Sequence, residues 1–129
     1  RVLSGVVAIQ TEVEFIELYK RQPMFADVDI FLRGHGFQFH TFTGFGTRPF
    51  KPMVVGGDPN RGLRQYIWSD AIYVRDWLRL EHLAEAKLKK LAVIAHDILQ
   101  SYDLAYLVLQ VLDKQRGGDL ALRYLRRFG

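Results

Sequence analysis

The fold class follows from residues 5–15, which read Gly-Val-Val-Ala-Ile-Gln-Thr-Glu-Val-Glu-Phe. An unbroken apolar run rich in β-branched side chains is typical of a strand buried on both faces, and Val6–Ile9 is such a run. The alternation that follows predicts that one face of this strand opens towards its C-terminal end. Glu12 and Glu14 stand two residues apart, so they share the open face.

Outward from this strand, the next segment has the apolar spacing of a short amphipathic helix. We predict that it begins at Pro23, which favours the first helical position, and that it ends at Gly34. Residues 37–42 alternate between apolar and polar side chains and predict a second strand, with Phe39 and Phe42 on opposite faces.

The stretch from Thr43 to Gly62 contains five glycines and three prolines, and it predicts a loop of about twenty residues. Loops of this length within a compact domain are usually functional or disordered. A third strand is expected within Tyr66–Arg75, whose centre is apolar. The aromatic side chains near this loop could line a substrate pocket or pack in the core; they are Phe45, Phe50, Tyr66 and Trp68.

After Trp77 the apolar residues recur at the three- and four-residue spacing of helices. The pattern predicts an all-helical tail of two to three helices, and Asp119 is expected to cap the last of them. The expected fold is therefore α/β, with residues 1–76 forming an α/β domain and residues 77–129 a helical tail packed on it.

Composition removes several classes of chemistry. The 129 residues contain no cysteine, which excludes disulfides, thiolate metal sites and thiol nucleophiles, and mildly favours an intracellular, cytoplasmic protein. No apolar run approaches the roughly 18 residues of a membrane span. The formal net charge of +4 is modest, and the only local basic cluster is the arginines near the C-terminus. Such a cluster suits a helix end better than a nucleic-acid interface.

Few side chains have the residue type and the sequence spacing that a catalytic site needs. Glu12 and Glu14 are candidates for a general base or a cation ligand, although two carboxylates without a histidine partner specify little, and solvation or pairing with a nearby lysine or arginine would also explain them. His40, on the second strand just before the loop, is a candidate acid or base, or simply a strand histidine. The four histidines lack the spacing of a helical metal pair, so no metal site is predicted.

Several segments resemble, in the same order, the C-terminal part of FkbM-type S-adenosylmethionine-dependent methyltransferases. They cover most of the chain and read Thr-Glu-Val-Glu-Phe-Ile-Glu-Leu-Tyr-Lys-Arg-Gln-Pro-Met-Phe (11–25), Asp-Val-Asp-Ile-Phe-Leu-Arg-Gly-His-Gly-Phe (27–37), Asp-Pro-Asn-Arg-Gly (58–62), Gln-Tyr-Ile-Trp-Ser-Asp-Ala-Ile-Tyr-Val-Arg-Asp (65–76) and Ser-Tyr-Asp-Leu-Ala (101–105). The resemblance implies a Rossmann-like sheet in which residues 6–15 form the fifth strand. The two later strands would be the sixth and the antiparallel seventh.

The resemblance also implies an activity, which is methyl transfer from S-adenosylmethionine to a hydroxyl of a small metabolite or sugar. The family's glycine-rich cofactor turn has no counterpart among these residues, so no cofactor-binding residue is assigned and the isolated chain is expected to be an inactive C-terminal fragment. Placement suggests substrate-binding candidates in two groups: Tyr19 and Gln22, then Asp58, Asn60, Arg61 and Trp68.

A second interpretation is a non-catalytic interaction or dimerisation domain that uses the helical tail. It predicts exposed apolar positions on the helices after Trp77. In this interpretation the tail docks either a partner or a second copy of the chain. Under the first interpretation, an exposed sheet edge of the fragment favours self-association into a homo-oligomer.

Overall fold

The computed structural model describes residues 2–128, which form a mixed α/β fold. In chain order the elements are a 3₁₀ turn (Val2–Gly5), β1 (Ala8–Glu14), α1 (Phe25–Gly34), β2 (Phe37–Arg48), β3 (Gln65–Arg75), a 3₁₀ turn (Leu80–His82), α2 (Glu85–Val93), a π-helical turn (Ile94–Ile98), α3 (Tyr102–Arg116) and α4 (Leu120–Leu125). No helix among the described residues combines the length and apolarity needed to cross a lipid bilayer.

The three strands form one antiparallel sheet in the order β1-β3-β2. The Arg75 amide donates to the Val7 carbonyl and the Phe15 amide donates to the Ile67 carbonyl, each at 2.9 Å, so β1 and β3 run in opposite directions. Since β2 is also antiparallel to β3, β1 and β2 point the same way. The β1-α1-β2 crossover is thus a split β-α-β unit with β3 inserted between its strands.

Two expectations for the first strand are wrong. The apolar run was expected to be strand from Val6, but the strand begins at Ala8, after a 3₁₀ turn that ends at Gly5. β1 is an outer strand of the sheet, and Val13 is the only fully buried residue within it, so the strand is not buried on both faces. Its apolar run instead covers the transition from the turn, where Val7 is buried, into the strand.

The chain divides into two compact units, one formed by residues 9–73 and the other by residues 2–8 with 74–128. The division falls within β3, close to the predicted boundary at residue 76. In the helical unit, α2 packs against α3 and α3 against α4. The core of that unit is mainly aliphatic, with Leu80, Leu88, Leu91, Ala95, Val108 and Leu112 almost completely buried.

Aromatic side chains fill the space between α1 and the sheet in the 9–73 unit. The Phe25 ring of α1 lies 5.9 Å from that of Phe39 and 5.4 Å from that of Phe42. Both β2 rings therefore face the same helix, and the predicted strict alternation between them is wrong. Phe15 joins this cluster through Phe42 and through Phe45. The cluster fixes the end of β1 against β2, where the candidate site lies.

α1 begins two residues later in the sequence than predicted. Its first residue is Phe25, and Pro23 precedes the N-cap Met24. The Asp27 carboxylate accepts the Met24 amide at 2.8 Å, which satisfies one of the free amides at the helix start. The helix then ends at Gly34, as predicted.

Candidate substrate cleft and carboxylate pair

A cleft of about 540 Å³ opens in the 9–73 unit beside the C-terminal ends of β1 and β2. Its lining comes from the segment after β1, the end of β2, the start of the loop and the start of β3: Ile16, Leu18, Gly46, Thr47, Arg48, Pro49, Phe50, Lys51, Gln65, Ile67 and Trp68. The volume is in the range of small-molecule sites, and ligands of open α/β sheets bind beyond the carboxyl ends of parallel strands.

The indole of Trp68 is held in the cleft by a glycine on the neighbouring strand. A Cβ atom added to Gly46 would lie 2.0 Å from Nε1 of Trp68, so only glycine lets the indole approach the β2 backbone so closely. Trp68 nevertheless remains 36% exposed. Its ring thus forms an apolar wall of the cleft that a ligand can still reach.

The loop at residues 49–64 returns to the end of β2 through two contacts. Nη1 of Arg48 donates to the Asn60 carbonyl at 3.0 Å. Gly62 lies so close to Thr47 that a Cβ would fall 1.7 Å from Thr47 Oγ1 and 2.5 Å from its carbonyl oxygen. Within the loop, the Asn60 amide donates to Asp58 Oδ1 at 2.8 Å, an Asx turn that shapes the returning limb.

The charge of the cleft is one-sided. Arg48 and Lys51 are cationic, and no aspartate or glutamate lines the cleft. Within residues 2–128, neither cation forms an ion pair. The Arg48 side chain donates only to the Thr47 and Asn60 carbonyls. The cleft therefore presents uncompensated positive charge beside an aromatic wall.

The predicted carboxylate pair also forms. Burial raises the pKa of the Glu14 carboxyl, and the hydrogen bond and charge repulsion with Glu12 raise it further. A hydrogen bond from the Gln22 side chain partly opposes this shift. The Glu14 carboxyl therefore releases its proton less readily than an isolated glutamate does.

Gln22 connects this pair to the cleft wall. Its Oε1 accepts the Leu18 amide at 3.1 Å and the Tyr19 amide at 3.2 Å, while its side chain hydrogen-bonds Glu14. Leu18 lines the cleft. The segment after β1 is therefore fixed by the same side chain that contacts the carboxylate pair.

The remaining candidates lie in different places. Trp68 alone among the six substrate-binding candidates lines the cleft. Asn60 acts through its backbone, Asp58 through the Asx turn, and the Tyr19 side chain is largely exposed. Arg61 is exposed, and its guanidinium lies near Gly56. His40 is a half-buried residue of β2 and does not line the cleft.

Sequence reasoning missed the two cations and Gln65. The predicted loop at Thr43–Gly62 contains both Arg48 and Lys51, but its first part is wrong, because β2 continues through Thr43–Arg48 and ends at the cleft. The alternating segment Arg48-Pro49-Phe50-Lys51, with its cations and aromatic ring, was the available signal. Of the four aromatics near the loop, Phe50 and Trp68 line the cleft, while Phe45 and Tyr66 stack on each other at 4.2 Å.

Comparison of the chain with protein-family models, curated proteins and solved structures finds no match. In the described part of the chain, no cluster of three or more histidine, aspartate or glutamate side chains is arranged to hold a metal ion. The residues themselves must therefore support any functional argument.

Proposed function

We propose that this chain is the C-terminal, acceptor-binding portion of an FkbM-type S-adenosylmethionine-dependent methyltransferase. The complete enzyme would methylate a hydroxyl of a small metabolite or sugar. One observation carries the proposal: an antiparallel β3 lies between β1 and β2, and a cleft opens at the carboxyl ends of those two parallel strands. The antiparallel third strand is what the sequence resemblance implies for the seventh strand of the family's sheet.

The described residues do not fit the cofactor. Residues 15–24, the connection from β1 to α1, contain no glycine, so this strand-to-helix turn lacks the close backbone approach that a nucleotide-like cofactor needs. The other strand-to-strand connection, at residues 49–64, leads to no helix. The role proposed for this chain is therefore restricted to the acceptor and its proton.

Methylation of a hydroxyl requires that the oxygen be positioned and that its proton be removed. The cleft beside Trp68 would position the acceptor. The carboxylate pair lies outside the cleft lining and is connected to it through Gln22. We propose that it takes up the proton, and the raised pKa of Glu14 brings its basicity closer to neutral pH.

The proposal is tested by expressing the complete open reading frame that encodes this chain and supplying methyl-labelled S-adenosylmethionine with a protein-free metabolite extract. We expect label to appear in small molecules, and the double variant Glu12→Gln/Glu14→Gln to slow its transfer by about 100-fold or more, the scale of general base catalysis. Lys90→Gln, an exposed position on α2, serves as the control. Absence of labelled products with the parent enzyme contradicts the proposal.

A second candidate function is self-association through the helical unit. It is favoured by large apolar side chains that remain exposed there, among them Leu78, Val93, Ile98, Leu122 and Leu125. Ile98 is 70% exposed and ends the π-helical turn. Exposed apolar side chains in such number are typical of an interface.

A further inference from the structure

We infer that the cleft binds a ring compound that carries an acidic substituent, either a carboxylate or a phosphate. This inference rests on the proposed function only in identifying that compound as the methyl acceptor. It depends on the charged and aromatic side chains that line the cleft.

We infer an acidic substituent in the ligand from the positive charge of the cleft lining. Arg48 and Lys51 both line the cleft, and no acidic side chain does. Both hydrogen bonds of Arg48 use Nη1, so within the described residues Nε and Nη2 have no protein partner. A guanidinium has five donors in a fixed fork that matches a carboxylate or a phosphate, and the unused donors form one edge of that fork.

Arg48 is also held in position before any ligand arrives. The Asn60 carbonyl fixes its Nη1, and the Asx turn at Asp58 fixes Asn60 in turn. The close approach of Gly62 to Thr47 keeps the C-terminal part of the loop at residues 49–64 against β2. A cation fixed in this way loses little side-chain entropy on binding, which favours recognition of an anion.

We infer a ring in the ligand from the aromatic side chains that line the cleft. The Trp68 indole lies against Gly46 and presents an accessible surface, and Phe50, which lines the same cleft, is 76% exposed. Aromatic walls bind flat aromatic rings and the apolar faces of sugars, and a volume of about 540 Å³ admits either. The ligand class is thus an aromatic acid or an acidic or phosphorylated sugar.

The two tryptophans of the chain make a direct test possible. The indole N–H groups of Trp68 and Trp77 give two separate signals in a ¹⁵N-correlated spectrum, and Trp68→Phe assigns them. The 129-residue chain is titrated with 4-hydroxybenzoate and with glucose 6-phosphate, which distinguish the two sources. The neutral counterparts 4-hydroxybenzamide and glucose are titrated in parallel.

We expect at least one acid to shift the Trp68 signal saturably while the Trp77 signal stays in place, with the neutral counterpart at least tenfold weaker. Arg48→Gln and Lys51→Gln should each weaken binding of the acid by about tenfold, since a hydrogen bond to a charged group contributes roughly that factor or more. Arg126→Gln, an exposed arginine of the helical unit, should leave the affinity unchanged.

Three results would overturn the inference: no shift of Trp68 with either acid up to about 10 mM, which corresponds to very weak binding; equal affinity for an acid and its neutral counterpart; or unchanged affinity in both cation variants. The spectrum of each variant shows whether it is folded. The titration needs neither cofactor nor turnover, so its failure is distinct from a failure of the methyl-transfer assay.

Discussion

The Tyr73 hydroxyl donates a 3.0 Å hydrogen bond to Oδ1 of Asp29 and thereby joins the central strand β3 to α1. Oδ2 of the same carboxylate accepts Nε of Arg33 at 2.8 Å, and Arg33 also donates to the Gln38 side chain at the start of β2. Burial, followed by the hydrogen bond to Asp29, raises the pKa of Tyr73, so the hydroxyl stays protonated and remains a donor. The chain of contacts fixes the crossover helix to the strands on which the cleft is built.

Tyr73→Phe should therefore destabilise the protein by about 1 kcal/mol, because the Asp29 carboxylate loses a donor at a site largely removed from water. The free energy of unfolding in urea measures the effect. Tyr66→Phe is the matched control, since Tyr66 is half exposed and its hydroxyl forms no hydrogen bond within the described residues. Equal loss of stability in the two variants would contradict the assigned role of the Tyr73 hydroxyl.

Gly46→Ala should displace the Trp68 indole, because the new Cβ would overlap its Nε1. We expect a loss of about 1–3 kcal/mol in unfolding free energy, the usual cost of overpacking, together with a shifted Trp68 indole signal. Gly34→Ala is the control, since its Cβ would meet no atom within 4 Å and it ends α1 in a helical conformation. A Gly46→Ala protein with unchanged stability and an unmoved Trp68 signal would disprove the close packing.

The carboxylate pair gives a prediction about pH. The pKa of Glu14 is higher in the folded chain than its ordinary value of 4.5, so the folded state holds this proton more tightly than the unfolded state does. The contribution of Glu14 to stability is therefore greatest below about pH 4.5 and is lost as the pH rises through its folded pKa. Glu14→Gln should remove this loss, so the stability of the variant relative to the parent should improve as the pH rises above about 4.5.

Glu12→Gln tests the cause of the shift. Removing the Glu12 charge should lower the pKa of Glu14, measured from the ¹³C shift of its carboxyl group, because the repulsion disappears while burial remains. If the Glu14 pKa is the same in this variant and in the parent, the two carboxyl groups do not interact.

The helical unit offers a prediction about capping. Asp113 of α3 accepts the Leu120 amide at 3.1 Å and the Ala121 amide at 2.9 Å, so it caps α4 from a neighbouring helix. The predicted cap, Asp119, makes no side-chain cap bond. Asp113→Ala should cost about 1 kcal/mol of stability, the value of a helix cap, whereas Asp119→Ala should cost much less. If urea unfolding shows a larger loss of stability for Asp119→Ala than for Asp113→Ala, then Asp119 and not Asp113 caps α4.

Self-association of the helical unit is tested by Ile98→Glu. If the exposed apolar side chains form an interface between two copies, sedimentation should show a dimer for the parent and a monomer for the variant, because a buried charge would be left unpaired. Lys90→Glu, a charge reversal at an exposed position of α2, is the control for charge alone. A monomeric parent across the micromolar range would rule out the second candidate function.

Local pattern predicts most elements of the 9–73 unit. The helix that ends at Gly34 and the strand at Tyr66–Arg75 were predicted nearly to the residue, because their apolar spacing matches the burial that the fold provides. The extension of β2 from residue 43 to Arg48 was not predicted. Gly44 and Gly46 indicated a loop, but Gly46 is required by contact with Trp68 on the paired strand, a tertiary cause invisible to local propensity.

The candidate site was predictable in part for the same reason. Glu12 and Glu14 meet because a strand repeats every two residues, which the sequence displays directly. Arg48 and Lys51 reach the cleft only because β2 continues to Arg48 and the loop folds back onto it. The π-helical turn at Ile94–Ile98 has the apolar spacing of an ordinary helix. Its different backbone hydrogen bonding therefore could not be predicted from the sequence pattern.

The most direct test of the central claim is calorimetric titration of S-adenosylhomocysteine into two proteins, the 129-residue chain and the product of the complete open reading frame. If the proposal is correct, S-adenosylhomocysteine should bind the product of the complete reading frame saturably at micromolar concentration and should not bind the 129-residue chain, whose connection at residues 15–24 lacks a cofactor cradle. Absence of binding to the product of the complete reading frame would contradict the assignment to a methyltransferase. Saturable binding to the 129-residue chain alone would contradict its restriction to the acceptor side.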